Sequence, residues 1–297
     1  MRTHTRFLAT LGLAGALAIT VTACAAVTED QAAPSAPTEP IQHVHDVAFD
    51  PVGALLVGAH TGVYRADLTG GEVSVVGGTA FDAMGLTVQG DSLLASGHPG
   101  PESDDATFIA PNIGLVRHTE SGWEQVSLAG ITDFHMLATT PAAPEFILGL
   151  PSDRAVLAAS TDAGQTWVDL AALTARDISI DTVQPDVVTA TTADGLMVSR
   201  DGGATFSPVQ DAPVLVVIAA DPTVQEGIIG VGTDGTIWTG STVPGSSWST
   251  AGRATGAAAA IAAAADGTVA IADEGGVRVT TDGGKTWQLV IETEPAS

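Results

Sequence analysis

From residue 43 onward the chain is a succession of short apolar runs bounded by glycine, proline or aspartate, and the runs come in ordered sets. Each set opens on an alternating or apolar stretch, at residues 44–49, 84–88, 134–139, 178–181, 214–219 and 257–262. A second apolar run follows at 55–58, 92–96, 145–148, 187–190, 227–231 and 268–272. A third starts on glycine, as in Gly62-Val63-Tyr64-Arg65, Gly114-Leu115-Val116, Gly195-Leu196-Met197-Val198 and Gly276-Val277-Arg278-Val279. Runs of this length with turn residues between them predict strands. The alanine run at 257–265 favours helix by propensity, but its place in the register makes it the first strand of the last set.

A turn motif fixes the period. Ser160-Thr161-Asp162-Ala163-Gly164-Gln165-Thr166-Trp167, Ser199-Arg200-Asp201-Gly202-Gly203-Ala204-Thr205-Phe206 and Thr280-Thr281-Asp282-Gly283-Gly284-Lys285-Thr286-Trp287 share the pattern S/T-x-D-x-G-x-T-W/F. The aromatics Trp123, Trp167, Phe206, Trp248 and Trp287 follow at steps of 44, 39, 42 and 39 residues, so a worn copy precedes Trp248. Aspartate and Ser/Thr side chains bond the turn's own amides, glycine takes the positive φ, and the aromatic packs back as the next strand begins. An internal period near 40 residues with four short strands per unit predicts propeller blades. Six units, at about 43–79, 80–130, 131–173, 174–212, 213–254 and 255–293, predict an all-β six-bladed β-propeller; a seventh blade from the N-terminal segment is the structural alternative.

On these motifs the chain resembles the BNR/Asp-box repeat family, which includes sialidases, sortilin-type receptors and, more distantly, a photosystem II assembly factor. The resemblance implies a propeller in which Ser160, Asp162, Gly164, Trp167, Ser199, Asp201, Gly203, Phe206, Thr280, Asp282, Gly284 and Trp287 are structural turn residues away from any active site.

The first 24 residues belong to export rather than to the fold. Arg2 and Arg6 precede an apolar stretch at 7–20, and Val21-Thr22-Ala23-Cys24 has small residues ending in cysteine. This resembles a bacterial lipoprotein signal, with Cys24, the chain's single cysteine, as the lipid attachment point. Residues 25–42, with Pro34, Pro37 and Pro40 and little to bury, read as a disordered tether to a domain at 43–293. The expected location is the outer face of the cytoplasmic membrane, with the lipid as the only membrane contact.

Charge narrows the partners. The net charge is −24, from 10 basic and 34 acidic residues, and Lys285 is the only lysine. Phosphate backbones need clustered Lys/Arg, so nucleic acid is excluded as a partner. An exported protein or a small ligand remains.

The candidate chemistry is histidine. In an antiparallel meander the start of each inner strand and the second-to-third loop share one face of the ring, opposite the Asp-box turns. His43, His45, His60, His98 and His135 all fall on that face, in blades one to three. Aligning Pro51 with Pro141 places His45, Met84 and His135 at one register position, and His43, Asp82 and Asp133 two residues earlier. Blades four to six offer Thr174/Arg176, Val214/Val216 and small residues there. Neutral imidazole is a common metal ligand; completion by Met84 points to copper, and by Asp82 or Asp133 to zinc. A metal centre predicts at least three imidazoles converging on one point.

Glycoside hydrolysis is the alternative and predicts two facing carboxylates in a sugar-sized cleft, drawn from Asp46, Asp82 and Asp133. The sialidase pattern of a tyrosine nucleophile and an arginine triad is not matched: Tyr64 lies in a third strand, and the arginines do not gather on one face. The segments 43–51, 58–65, 84–88, 95–100 and 133–135 resemble bacterial exported proteins labelled glycosylhydrolase-like, which implies sialidase-type propeller ancestry and does not establish catalysis. A ligand-binding, non-enzymatic role is therefore the leading expectation.

Overall fold

The computed structural model describes residues 41–100 and 108–293. The expected export signal, Cys24 and all but the last two residues of the expected tether lie outside the described residues. Among those described, the secondary structure is entirely strand and turn, in six four-stranded antiparallel sheets. Blade 1 is β1 (Val44–Phe49), β2 (Leu55–Ala59), β3 (Gly62–Ala66) and β4 (Val73–Val75). Blade 2 is β5 (Phe81–Gln89), β6 (Ser92–Pro99), β7 (Gly114–Thr119) and β8 (Gly122–Ser127). Blade 3 is β9 (Phe134–Thr139), β10 (Ile147–Pro151), β11 (Val156–Ser160) and β12 (Val168–Ala172). Blade 4 is β13 (Ala175–Ile180), β14 (Val188–Thr192), β15 (Gly195–Ser199) and β16 (Ser207–Pro208). Blade 5 is β17 (Leu215–Asp221), β18 (Gly227–Gly232), β19 (Thr236–Ser241) and β20 (Ser249–Arg253). Blade 6 is β21 (Ala258–Ala263), β22 (Val269–Asp273), β23 (Gly276–Thr280) and β24 (Gln288–Ile291).

The protein is a six-bladed β-propeller. Its inner strands β1, β5, β9, β13, β17 and β21 neighbour one another around a closed circle, with β21 against β1. Six blades close the ring, so the seven-bladed alternative is not adopted. The alanine run forms inner strand β21: register overrides helix propensity where small side chains must fit beside the axis.

The packing explains why so many strands read as unbroken apolar runs. Successive side chains of a strand point to opposite faces, and in a propeller both faces meet a neighbouring blade. Leu55 and Val57 of β2 pack toward blade 6 with Val277 and Val279, whereas Leu56 packs toward blade 2 with Phe81 and Leu86. The cores are accordingly junctions, and the joint between blades 6 and 1 is built like the other five. Each blade consists of one consecutive stretch of chain, so side-chain packing rather than strand exchange seals that joint.

The three Asp-box turns have one wiring. In the second, the Ser199 hydroxyl accepts the Gly203 N–H (2.9 Å) and donates to Asp201 (2.7 Å), and the Asp201 carboxylate accepts the Thr205 N–H (2.8 Å) and hydroxyl (2.6 Å). The same bonds recur around Asp162 and Asp282. The threonine hydroxyl and amide and the Ser/Thr hydroxyl pull Asp162, Asp201 and Asp282 down to about 2. Gly203 has φ +92, and a Cβ there would meet Leu157, which accounts for the glycine. The turns face away from the histidines.

Candidate functional site

The inner strands carry a shared irregularity. Every one of them has a β-bulge near its start, and the unpaired residues are His45, Met84, His135, Arg176, Val216 and Ala259. A bulged residue is left out of the ladder and its side chain is re-aimed. Six bulges at one level make a crown around one mouth of the central channel. The register alignment of His45, Met84, His135, Arg176 and Val216 is therefore physical, although the bulge itself leaves no mark in the hydrophobic pattern.

Below the crown, the channel is lined by Asp46, Leu86, Met136, Asp177, Ile218 and Ile261 among others. Asp46 accepts N–H bonds from Val47 (2.8 Å) and, across the junction, from Leu86 of blade 2 (2.9 Å). Asp177 repeats this with Ile178 (2.7 Å) and Ile218 of blade 5 (2.8 Å). Burial dominates both groups: it pushes Asp177 up to about 7 and Asp46 well above the usual carboxylate range.

The histidines sort into two sets, each spanning a blade junction. Asp82 Oδ1 lies 3.1 Å from His45 Nε2 and 2.8 Å from His60 Nδ1, and those two nitrogens are 3.3 Å apart. Asp133 Oδ2 lies 3.1 Å from His135 Nε2 and 3.5 Å from His98 Nε2. A histidine from the second-to-third hairpin of one blade, His60 in the turn and His98 at the end of β6, meets the entry aspartate of the next in both sets, as His60/Asp82 and His98/Asp133. The third member is the bulge histidine, from blade 1 in the first set and blade 3 in the second. Met84 holds the bulge of the shared blade between them. His43, with φ +47, contributes only a ring contact to His60, with centroids 4.9 Å apart.

Convergence of three imidazoles, expected from the sequence, is not what forms among the described residues. Each set has two imidazoles and one carboxylate, because His60 and His98 each reach the next blade's aspartate rather than a common centre. Each grouping has the residue types and spacing of a three-ligand metal site. Asp133 is wholly buried while His60 and His135 remain 45% and 49% exposed, so both sets open toward solvent on one side.

The hydrogen bonding within the sets is incomplete. Asp82 Oδ1 and Asp133 Oδ2 are buried without a hydrogen-bond partner of acceptable geometry, despite the nearby ring nitrogens. His98 Nδ1 lies 3.3 Å from the Pro111 carbonyl oxygen. A carbonyl only accepts, so Nδ1 is the donor in that contact, and it orients the ring with Nε2 facing the Asp133 carboxylate. Orientation of a ligating histidine through its other ring nitrogen is the usual outer-shell arrangement. Burial raises the pKa of Asp82, but His45 and His60 outweigh it and hold the carboxyl below its ordinary value. Burial likewise raises Asp133, and His135, Ser152 and His98 bring it below. The Asp133 carboxylate in turn holds His135 above the ordinary imidazole value, against burial.

The strand entry to the second set is rooted by Phe134, which lies between Asp133 and His135 and is fully buried against Trp167 with ring centroids 4.4 Å apart. Gly149 leaves room for that ring: a Cβ there would stand 2.5 Å from Phe134 Cδ1. Gly149→Ala is expected to lower stability by about 1–3 kcal/mol through overpacking. Urea unfolding of the two proteins measures it, and an unchanged midpoint would contradict the account.

The carboxylate pair required for glycoside hydrolysis does not assemble from the expected acids. Asp46 is locked into backbone bonds, and Asp82 and Asp133 are each engaged by two histidines. Tyr64 is buried at the junction of blades 6 and 1 and bonded to Thr61 (2.6 Å). Sequence reasoning missed one gathering: Arg154 and Arg176 line a cleft of 480 Å³ beside His135, with Ser152, Asp153 and Thr174. Their 22-residue separation hides the shared cleft, which the packing of blade 3 against blade 4 creates.

Comparison with known proteins agrees with the turns and the ring. The BNR/Asp-box repeat is matched at residues 278–289, which hold Asp282, Gly284 and Trp287. The chain carries a BNR/Asp-box repeat. No curated protein matches the sequence. Among solved structures, a GH74 enzyme from Niastella koreensis is similar at 18% identity and TM-score 0.54, over 85% of this chain and 38% of that one. The WD40 β-propeller domain of Doa1 is similar at 14% identity and TM-score 0.58, over 89% and 86% of the two chains. A chain of a nidogen/laminin complex is similar at 12% identity and TM-score 0.60, over 82% and 93%. This chain spans well under half of the GH74 enzyme, and at these identities the likeness is one of fold.

Proposed function

We propose that this Asp-box propeller is a metal-binding protein, exported and lipid-anchored through Cys24, whose two His2Asp centres sit side by side at the crown of blades 1 to 3. The observation that carries the reading is the repetition of one ligand pair, His60/Asp82 and His98/Asp133, at consecutive junctions with a buried carboxylate oxygen left unbonded at each. The donor triangle of the first centre, with edges of 2.8 to 3.3 Å, resembles the ~3.3 Å edges of a tetrahedron at zinc bond lengths. Carboxylate in place of thioether favours zinc over copper(I). Three ligands and an exposed side leave a position for exchange or for a bound ligand, which suits metal handling or metal-dependent recognition better than a closed structural site. The export signal and the tether sequence support a location on the outer face of the membrane.

Metal analysis of protein purified without chelator or a histidine tag is expected to give two equivalents of zinc. His45→Ala and His135→Ala should each remove one, and the double variant both. No bound metal, together with no saturable uptake of zinc or copper at micromolar concentrations, would sink the reading. A glycoside screen on the same samples addresses the alternative, which the engagement of Asp46, Asp82 and Asp133 leaves without a free acid pair.

A further inference from the structure

The crown continues past the second centre to Arg176, the bulge residue of blade 4. In a chain with 34 acidic and 10 basic residues, exposed arginines are expected to find carboxylates. Arg65, Arg154, Arg200, Arg253 and Arg278 all do. Arg117 donates instead to Gln89 and to the Ala163 carbonyl at the junction of blades 2 and 3. Arg176 is exposed and has no carboxylate within ion-pair distance among the described residues; its one hydrogen bond is a long one, 3.4 Å to the Ala259 carbonyl of blade 6. The adjacent Asp177 turns down into the channel, where two backbone N–H groups hold it.

Arg176 and His135 line the same 480 Å³ cleft. With a divalent ion on His98, Asp133 and His135, the carboxylate cancels one charge and leaves one. Arg176 adds another, so two net positive charges border an open cleft on a protein of net charge −24. Such a site attracts an anion, and the planar guanidinium fork matches the oxygens of a carboxylate or phosphate. The cleft volume suits a small organic molecule.

Resting on the metal reading above, the geometry points to an oxyanion site at the second centre: a small carboxylate or phosphate whose one oxygen takes the open metal position while another is held by Arg176. The bulge positions on either side of His45 are Ala259 and Met84, so neither blade flanking the first centre supplies an arginine of its own. The two centres thus differ in what they hold. Arg154 is neutralised by Asp153 and Asp169 and plays a lesser part.

The experiment uses cobalt(II) as a visible reporter in a His60→Ala background, so that only the second centre is coloured. Titration with inorganic phosphate and, separately, acetate is expected to shift the cobalt bands saturably, and the better probe identifies phosphate or carboxylate as the preferred oxyanion. Arg176→Ala should weaken that response about ten- to hundredfold with cobalt stoichiometry unchanged, and Arg176→Lys should recover part of it. Cobalt uptake without an anion response, or a response indifferent to Arg176→Ala, overturns the oxyanion site and leaves the metal centres standing. Failure of cobalt to bind, in this background and in the otherwise unaltered protein, overturns both.

Discussion

An alanine at Gly97 is expected to cost the domain more than about 3 kcal/mol and to abolish metal uptake at both centres. Gly97 lies in β6 beside His98, paired to Ala83 on one side and Gly114 on the other. A Cβ at this position would fall on the Asp82 carbonyl oxygen and stand 3.0 Å from the Met84 N–H nitrogen. Neighbouring strands on both sides prevent β6 from moving away, so β5 must shift. That shift carries Asp82 away from His45 and His60, and distorts the hairpin end that presents His98 to Asp133. Serine would fare no better than alanine, since the obstacle is the Cβ itself. Urea unfolding together with metal analysis reads both effects; a Gly97→Ala protein of normal stability that still bound two metals would refute the close-approach argument.

Stability should be greatest in mild acid, near pH 4, and fall as pH rises toward neutrality. Asp177 has a folded pKa of about 7 against about 3.9 in an unfolded chain. A carboxyl with a raised folded pKa binds more protons folded than unfolded between those values. Its contribution is therefore lost as pH climbs from about 4 to about 7, by up to roughly 4 kcal/mol for a shift of this size. Asp46, raised by the same burial and by the charge of Asp177 across the channel, acts in the same direction. The Asp-box carboxyls act oppositely: their folded values of about 2 mean their stabilisation is present above the unfolded value and lost as pH falls through about 2. Denaturant midpoints across pH 3 to 8 in the presence of a chelator should show the maximum. Asp177→Asn should flatten the limb between pH 4 and 7 even though it forfeits one of the two N–H bonds, so the slope is the readout. A stability curve rising from pH 4 to 7 would contradict the buried-carboxyl account.

Much of the fold was legible because a propeller writes itself as local repetition. The Asp-box spacing, the glycine-led third strands and the register placing Ala258 to Ala263 beside the axis are all features of a single unit. The common face of His43, His45, His60, His98 and His135 followed from the alternation of loops in a meander. What stayed hidden was created between units. The sequence places His60 near Asp82, 22 residues on, no more strongly than it places His43 there, and only the packing of blade 1 on blade 2 chooses. The division of the histidines into two sets, the shared cleft of Arg154 and Arg176, and the roles of Asp46 and Asp177 as cross-junction clasps all depend on such contacts. The bulges were invisible for another reason: an added residue shifts a strand's register by one, and in runs apolar on both faces that shift leaves no change of pattern.

Because each crown residue stands outside the ladder, its identity is uncoupled from the bonding that holds the ring. Histidine, methionine, arginine, valine and alanine all occupy the same station on one backbone without altering the strand pairing beside it. The ring is thus a six-socket plate, with functionalised side chains in four sockets, His45, Met84, His135 and Arg176, and plain apolar ones at Val216 and Ala259. New specificities are open to it by exchange of single side chains, with the architecture indifferent to the choice.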